Sequence, residues 1–189
     1  MSKMFKVACV QNCATDNLQL NIDAAEALTR RAASVGAVLI CLPEYFCILE
    51  PDDSAYFEKG FDADRHPAVE HFRALAVELN VWLLLGSVPI KGGGLMVHNR
   101  SHLLTPEGTI AATYDKVHLF DVAIKDGHEY RESSTVTPGD KAVIANLPWG
   151  RLGLTICYDV RFPHLYRQLA KAGADFITVP AAFTAKTGE

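Results

Sequence analysis

Short apolar runs alternate with stretches of helical periodicity along most of this chain. Residues 5–11 alternate apolar and polar positions at the two-residue period of a strand. Asp16 or Asn17 can then cap a helix ending near Ser34, because Leu18, Ile22, Ala25, Leu28 and Ala32 share one stripe. Gly36 ends it, and residues 37–42 form a continuous apolar run of the kind buried on both faces of a sheet, broken by Pro43. Residues 50–65 are acidic, irregular and rich in turn formers, which predicts a surface loop. Pro67 opens a second helix reaching Asn80, turned inward through Val69, Phe72, Leu75, Ala76 and Leu79.

The pattern then changes to hairpins. Strands are predicted at 81–88, 95–104 and 109–114, separated by the Gly92-Gly93-Gly94 tract and the turn Thr105-Pro-Glu-Gly108. Residues 115–141 are long, polar and without periodicity; loops of that length in a folded domain are often functional. Strands at 142–147 and 151–157 flank Pro148-Trp149-Gly150, a helix starts at Pro163, and 176–180 is a last strand. The order βαβαβ, hairpins, βαβ predicts a mixed-sheet α/β fold in one domain, with helices on the outer faces. After 180 no covering helix follows, so the chain reads as cut short.

One stretch joins strand to helix through a cysteine: Arg151-Leu-Gly-Leu-Thr-Ile-Cys157-Tyr-Asp-Val-Arg-Phe-Pro163. Leu152, Leu154 and Ile156 share one strand face; Gly153, Thr155 and Cys157 share the other. A cysteine there is either a packed core group or a nucleophile. Amide groups at a helix start favour the thiolate, so a nucleophilic Cys157 is expected to have a low pKa.

Composition narrows the class. With 189 residues, 49% of them hydrophobic and 21% charged, the chain suits one globular domain. A net charge of -4 provides no electrostatic footprint for nucleic acid or anionic membrane. The longest apolar runs are too short to span a bilayer, and no signal-peptide pattern opens the sequence. The 5 cysteines are odd in number and lie mostly in strand-like runs, which suits a reducing compartment; the cytoplasm is expected.

Glu44 follows the strand at 37–42, at the end where α/β sheets place ligand sites, and Cys157 occupies the equivalent position on its own strand. Lys116 stands between a strand and the apolar Val117-His-Leu-Phe120, and Glu132 precedes the turn Thr137-Pro-Gly-Asp140. Alone, Glu44 and Lys116 read more readily as surface charges, and Glu132 says almost nothing. Together they supply what acyl transfer from an amide requires: a sulfur nucleophile, a base and a positive donor for the oxyanion.

The segments Leu42-Pro-Glu-Tyr-Phe46, Tyr114-Asp-Lys-Val-His-Leu-Phe120 and Leu154-Thr-Ile-Cys-Tyr-Asp-Val-Arg-Phe-Pro163 resemble the three signature segments of the nitrilase (carbon–nitrogen hydrolase) superfamily, in the same order. The resemblance runs from Lys6 to the last residue. It implies an α-β-β-α four-layer sandwich, incomplete at its C-terminal end. It also implies Cys157 as the thioester-forming nucleophile and Glu44 as general base and acid. By the same resemblance, Lys116 and the backbone N–H of Tyr158 are expected to stabilise the oxyanion, and Glu132 to position the lysine and substrate. Neither metal nor organic cofactor is implied; a homodimer or larger homo-oligomer is. The wording around Cys157, with Val179-Pro-Ala-Ala-Phe-Thr184, is most similar to the branch containing omega-amidase and deaminated glutathione amidase. That branch implies a 2-oxo acid amide such as deaminated glutathione or 2-oxoglutaramate. Its substrates carry carboxylates, for which Arg161 is a candidate, unless it pairs with Asp159 or Asp175.

Two other readings stand beside this one. A chain cut short can keep the fold without turnover. A metal hydrolase could use His98, His102, His118 or His128, but His98 and His102 lie four apart in a strand-like run, too far apart for one ion.

Overall fold

In the computed structural model, which describes residues 4–50, 55–123 and 129–183, the apolar runs pair into two facing sheets. Strands β1 (Val7–Cys9), β2 (Leu39–Cys41), β3 (Trp82–Lys91), β4 (Val97–Leu104) and β5 (Ile110–Asp115) lie in that order. The first three run parallel and the last two return antiparallel. A hairpin of β6 (Asp121–Ala123) and β7 (Glu129–Arg131) follows as a separate two-stranded sheet. Strands β8 (Val143–Leu147), β9 (Gly150–Leu154) and β10 (Phe176–Thr178) form the second large sheet, ordered β10-β9-β8.

Helix α1 (Leu18–Ser34) starts where Asn17 accepts a hydrogen bond from the Leu20 amide at 3.1 Å, so Asn17 is the cap. Ile22, Ala25 and Ala32 of α1, and Val69, Phe72, Leu75 and Ala76 of α3 (Pro67–Leu79), pack on Ile40, Leu83 and Leu85 of the first sheet. Its opposite face, through Leu39, Leu84, Leu103 and Tyr114, meets Ala145, Leu147, Leu152, Leu154 and Ile156 of the second sheet. Helix α4 (Pro163–Lys171) covers the far side of β9, and a methyl at Gly153 would lie 3.1 Å from Leu169. The four layers are helix, sheet, sheet, helix.

Two expected loops contain structure. The 50–65 stretch holds a short helix α2 (Ala55–Lys59), and Phe61 bridges to Ile90. Tyr56 explains that ordering, since its ring is buried and stacked on Tyr45 at 4.8 Å. The 115–141 stretch holds the β6–β7 hairpin and a 3-10 turn, Glu132–Ser134; Val136 bridges to Val97. Neither stretch shows a two-residue or helical period, because each is held by a few anchored side chains. No helix among the described residues is long and apolar enough to cross a membrane.

The irregularities of the first sheet position the 42–47 segment. β3 changes register between Leu85 and Val88, and a methyl at Gly86 would meet the carbonyl oxygens of Leu42 and Pro43 at 2.1 and 2.3 Å. Only glycine lets those backbones approach. Ser87 then accepts from the Tyr45 amide at 3.0 Å. Asn12 donates to the Phe46 carbonyl and Asn21 to that of Cys47, each at 2.9 Å.

Two imidazoles are buried on the helix side of this sheet. His66 and His102 are 1% and 2% exposed, and desolvation pulls both down from 6.5 to about 4; the Arg100 charge adds to the effect at His102. An unfolded chain therefore takes up protons before the folded one does. Stability is complete above 6.5 and falls as pH drops toward about 4. The expected loss at about pH 4.5 is roughly 2.5 kcal/mol per histidine, from a difference of just under two pH units at about 1.36 kcal/mol each. Urea unfolding across this range checks it: His102→Gln should show a shallower decline, and an unchanged slope would contradict the assignment.

Candidate active site

Four segments converge between the sheets at the carboxyl ends of β2 and β9. Glu44 follows β2, Lys116 follows β5, Glu132 opens the 3-10 turn after β7, and Cys157 follows β9. Glu44, Lys116 and Cys157 are 5%, 2% and 7% exposed. All four side chains singled out in the sequence lie in this one cluster.

The lysine is its centre. Lys116 Nζ lies 3.0 Å from Glu44 Oε1 and 2.9 Å from Glu132 Oε2. Burial works against its ammonium form, but Glu44, Glu132 and Cys157 together hold its pKa above the ordinary lysine value. The Lys116 amide donates to the Asn99 carbonyl at 3.0 Å, and its own carbonyl accepts from Gly139 at 2.8 Å. A methyl at Gly139 would lie 2.3 Å from the Asp115 carbonyl, so this strap also needs glycine.

Each carboxylate is fully engaged. Glu44 Oε1 accepts from Lys116 and from Asn99 Nδ2 at 2.9 Å, while Oε2 accepts from the Ala182 amide at 3.0 Å. Glu132 Oε1 accepts from Asn99 Nδ2 at 3.1 Å, and Oε2 from the Phe120 amide at 2.7 Å. Asn99 thus bridges the two carboxylates from β4 while 0% exposed. The sequence reading passed over it. A signal was present, since Val97, Asn99, Ser101 and Leu103 form one inward face and an asparagine there must find polar partners.

Cys157 departs from expectation in three respects. β9 does not run straight into a helix: a 3-10 turn, Cys157–Arg161, intervenes before α4. The cysteine has φ 45, a left-handed conformation that costs a non-glycine residue about 1–3 kcal/mol. That turn carries the sulfur away from Gly153 and Thr155, and Cys157 joins the core between the sheets. The thiol is also not acidic. Burial and the Glu44 carboxylate, which accepts its hydrogen bond, push it up to about 12; Lys116 and the Ala182 amide oppose this without overcoming it. The start of α4 lies too far along the chain to compete with a carboxylate in contact.

The remaining candidates are engaged elsewhere. Arg161 is exposed and outside the ion pairs of the described residues. Asp159 instead bonds Tyr114 and His118, and Asp175 bonds the Arg151 amide. His98 Nδ1 is 3.8 Å from Asp115 Oδ2, His102 faces Thr113 at 3.3 Å, and His118 is 2.7 Å from Asp159. His128 lies outside the described residues.

Residues 6–189 match the family model described as carbon-nitrogen hydrolase. The chain is 38% identical over 190 residues to the deaminated glutathione amidase of Yersinia enterocolitica, covering 99% of this chain and 66% of that protein. It is 32% identical over 184 residues to the human omega-amidase NIT2, covering 97% and 66%. The solved NitFhit protein of C. elegans superposes with a TM-score of 0.87 at 31% identity, covering 98% of this chain and 46% of that one. The chain thus spans 66% of the length of these two amidase relatives.

A protonated resting thiol has a kinetic signature. Alkylation of Cys157 by iodoacetamide should rise with pH up to about 9 without reaching a plateau near neutrality, because only the thiolate reacts. Exposed Cys9 and Cys13 should be labelled first at neutral pH. Peptide mapping that shows a Cys157 rate already flat below about pH 7 would contradict the raised pKa.

Proposed function

The chain belongs to the carbon-nitrogen hydrolase family, and from that premise we propose that it hydrolyses a linear amide through a thioester on Cys157. The observation that carries this reading is the contact of the Cys157 thiol with a Glu44 carboxylate that also touches Lys116 at 3.0 Å, all nearly excluded from water.

The raised thiol pKa suits a concerted role for Glu44. As the sulfur attacks the amide carbon, its proton passes to Glu44, so no free thiolate need accumulate. The contacts of Lys116 Nζ with Glu44 and Glu132 leave its ammonium beside the same sulfur, where it can stabilise the oxyanion together with the Tyr158 amide at the start of the 3-10 turn. Glu44 then returns the proton to nitrogen, the C–N bond breaks, and ammonia leaves the acyl thioester. In the second half Glu44 takes a proton from water, hydroxide adds to the thioester carbonyl, and the sulfur leaves as the thiol with the proton restored. Glu132 and Asn99 keep Lys116 and Glu44 in position through this cycle. No step needs a metal or an organic cofactor.

For the acyl part we propose a small 2-oxo acid amide such as deaminated glutathione or 2-oxoglutaramate. The names of the relatives and the wording around Cys157 support this. Arg161, exposed four residues beyond the sulfur, is a candidate partner for the substrate carboxylate. We also read the chain as a single catalytic domain of a homo-oligomer in the reducing cytoplasm, where its free cysteines would persist.

The test is ammonia release from a panel of 2-oxo acid amides and plain amides. Wild-type protein should favour the former, and Cys157→Ala should lower turnover by at least about a thousandfold, as removal of a nucleophile does. Turnover that survives this substitution would sink the mechanism.

A further inference from the structure

We infer that Asp159 is the positioning residue that holds the cysteine turn in register with the lysine segment; the inference rests on the amidase reading above. Its carboxylate is 0% exposed and accepts four hydrogen bonds. Oδ2 receives Tyr114 Oη at 2.7 Å and the Ile156 amide at 2.8 Å. Oδ1 receives the His118 amide at 3.0 Å and stands 2.7 Å from His118 Nδ1. The pattern brackets the site from both sides. Tyr114 and His118 stand two residues to either side of Lys116, and Ile156 and Asp159 flank Cys157.

Those bonds do two things that the core packing cannot. The link from Asp159 back to Ile156 closes the 3-10 turn in the manner of a capping box, which holds Cys157 at its φ of 45. The three bonds to 114 and 118 tie that turn to the lysine. The His118 ring is further fixed by stacking on Phe162 at 3.8 Å, so the strap is clamped at both ends. A catalytic arrangement tolerates little displacement, so the distance between sulfur and ammonium is set here rather than by either side chain alone.

Asparagine at 159 keeps the shape but turns an NH2 toward one of two backbone amides that can only donate. The expected result for Asp159→Asn, assayed well below its unfolding temperature, is a kcat lower by about a hundredfold with KM changed by less than about threefold. At about pH 8, Cys157 should be alkylated at least about fivefold faster, because the sulfur escapes its buried contact with Glu44. Cys47, which is 0% exposed, should stay unlabelled, which separates loss of register from unfolding. Asp175→Asn, which disturbs a carboxylate bonded to the Arg151 amide at the far end of β9, should lower Tm and leave kcat in place.

Tyr114→Phe removes one of the four bonds and covers the case in which Asp159→Asn does not fold. It should lower kcat by about tenfold, with Cys157 labelling raised and Cys47 silent. A folded variant of either kind with wild-type kcat and wild-type Cys157 labelling would overturn the inference. If the wild type releases no ammonia from any amide, the amidase reading fails. The positioning role is then decided by the Cys157 and Cys47 labelling rates alone.

Discussion

Everything at this site depends on one buried cation. An ammonium that is 2% exposed is stable only where carboxylates meet it, and Lys116 finds Glu44 and Glu132 within 3.0 Å. Two carboxylates around one lysine leave the cluster with an excess negative charge. Burial first, and then the Glu44 carboxylate, explain the reluctance of Cys157 to ionise, and the remaining lone pairs explain why further donors crowd in from Asn99, Phe120 and Ala182. Removing any partner would leave an uncompensated charge in the core.

Backbone strain is concentrated beside the same groups. Of the three described non-glycine residues with positive φ, Tyr45 follows Glu44, Cys157 carries the thiol, and Asn80 ends α3. The first two are held by side chains: Ser87, from β3, for Tyr45, and Asp159, within the same turn, for Cys157. The sheets supply the rigid floor, and a small number of polar anchors bend the loop ends into place. The close approach of Gly86 to Pro43 and of Gly139 to Asp115 shows how little room those bends leave.

Much of this was readable from the amino-acid order, for physical reasons that differ by element. Helices α1 and α3 announce themselves through a cap, a stripe and a proline or glycine at the ends, and they form where those signals stand. Strands β2 and β3 are continuous apolar runs that only a covered sheet can bury. Glu44, Lys116 and Cys157 carry local wording that points beyond their own neighbourhoods. Asn99 shows only an inward-facing polar side chain, and Asp159 lies in the wording around Cys157 without a role legible there, because their importance arises from partners 33 to 55 residues away for Asn99 and 41 to 45 for Asp159. The low acidity of Cys157 is hidden for a related reason: strand and helix are local features, whereas the burial that raises its pKa and the carboxylate that adds to it come from the packed sheets and from the segment after β2.

The most direct measurement is the mass of the Cys157 peptide after the protein is mixed with an amide substrate and quenched in acid. A thioester-forming site should show that peptide heavier by the acyl group, with the added mass lost on treatment with hydroxylamine. Ammonia release with no acyl mass on Cys157 at any quench time, while the unmodified peptide is fully recovered, would contradict it.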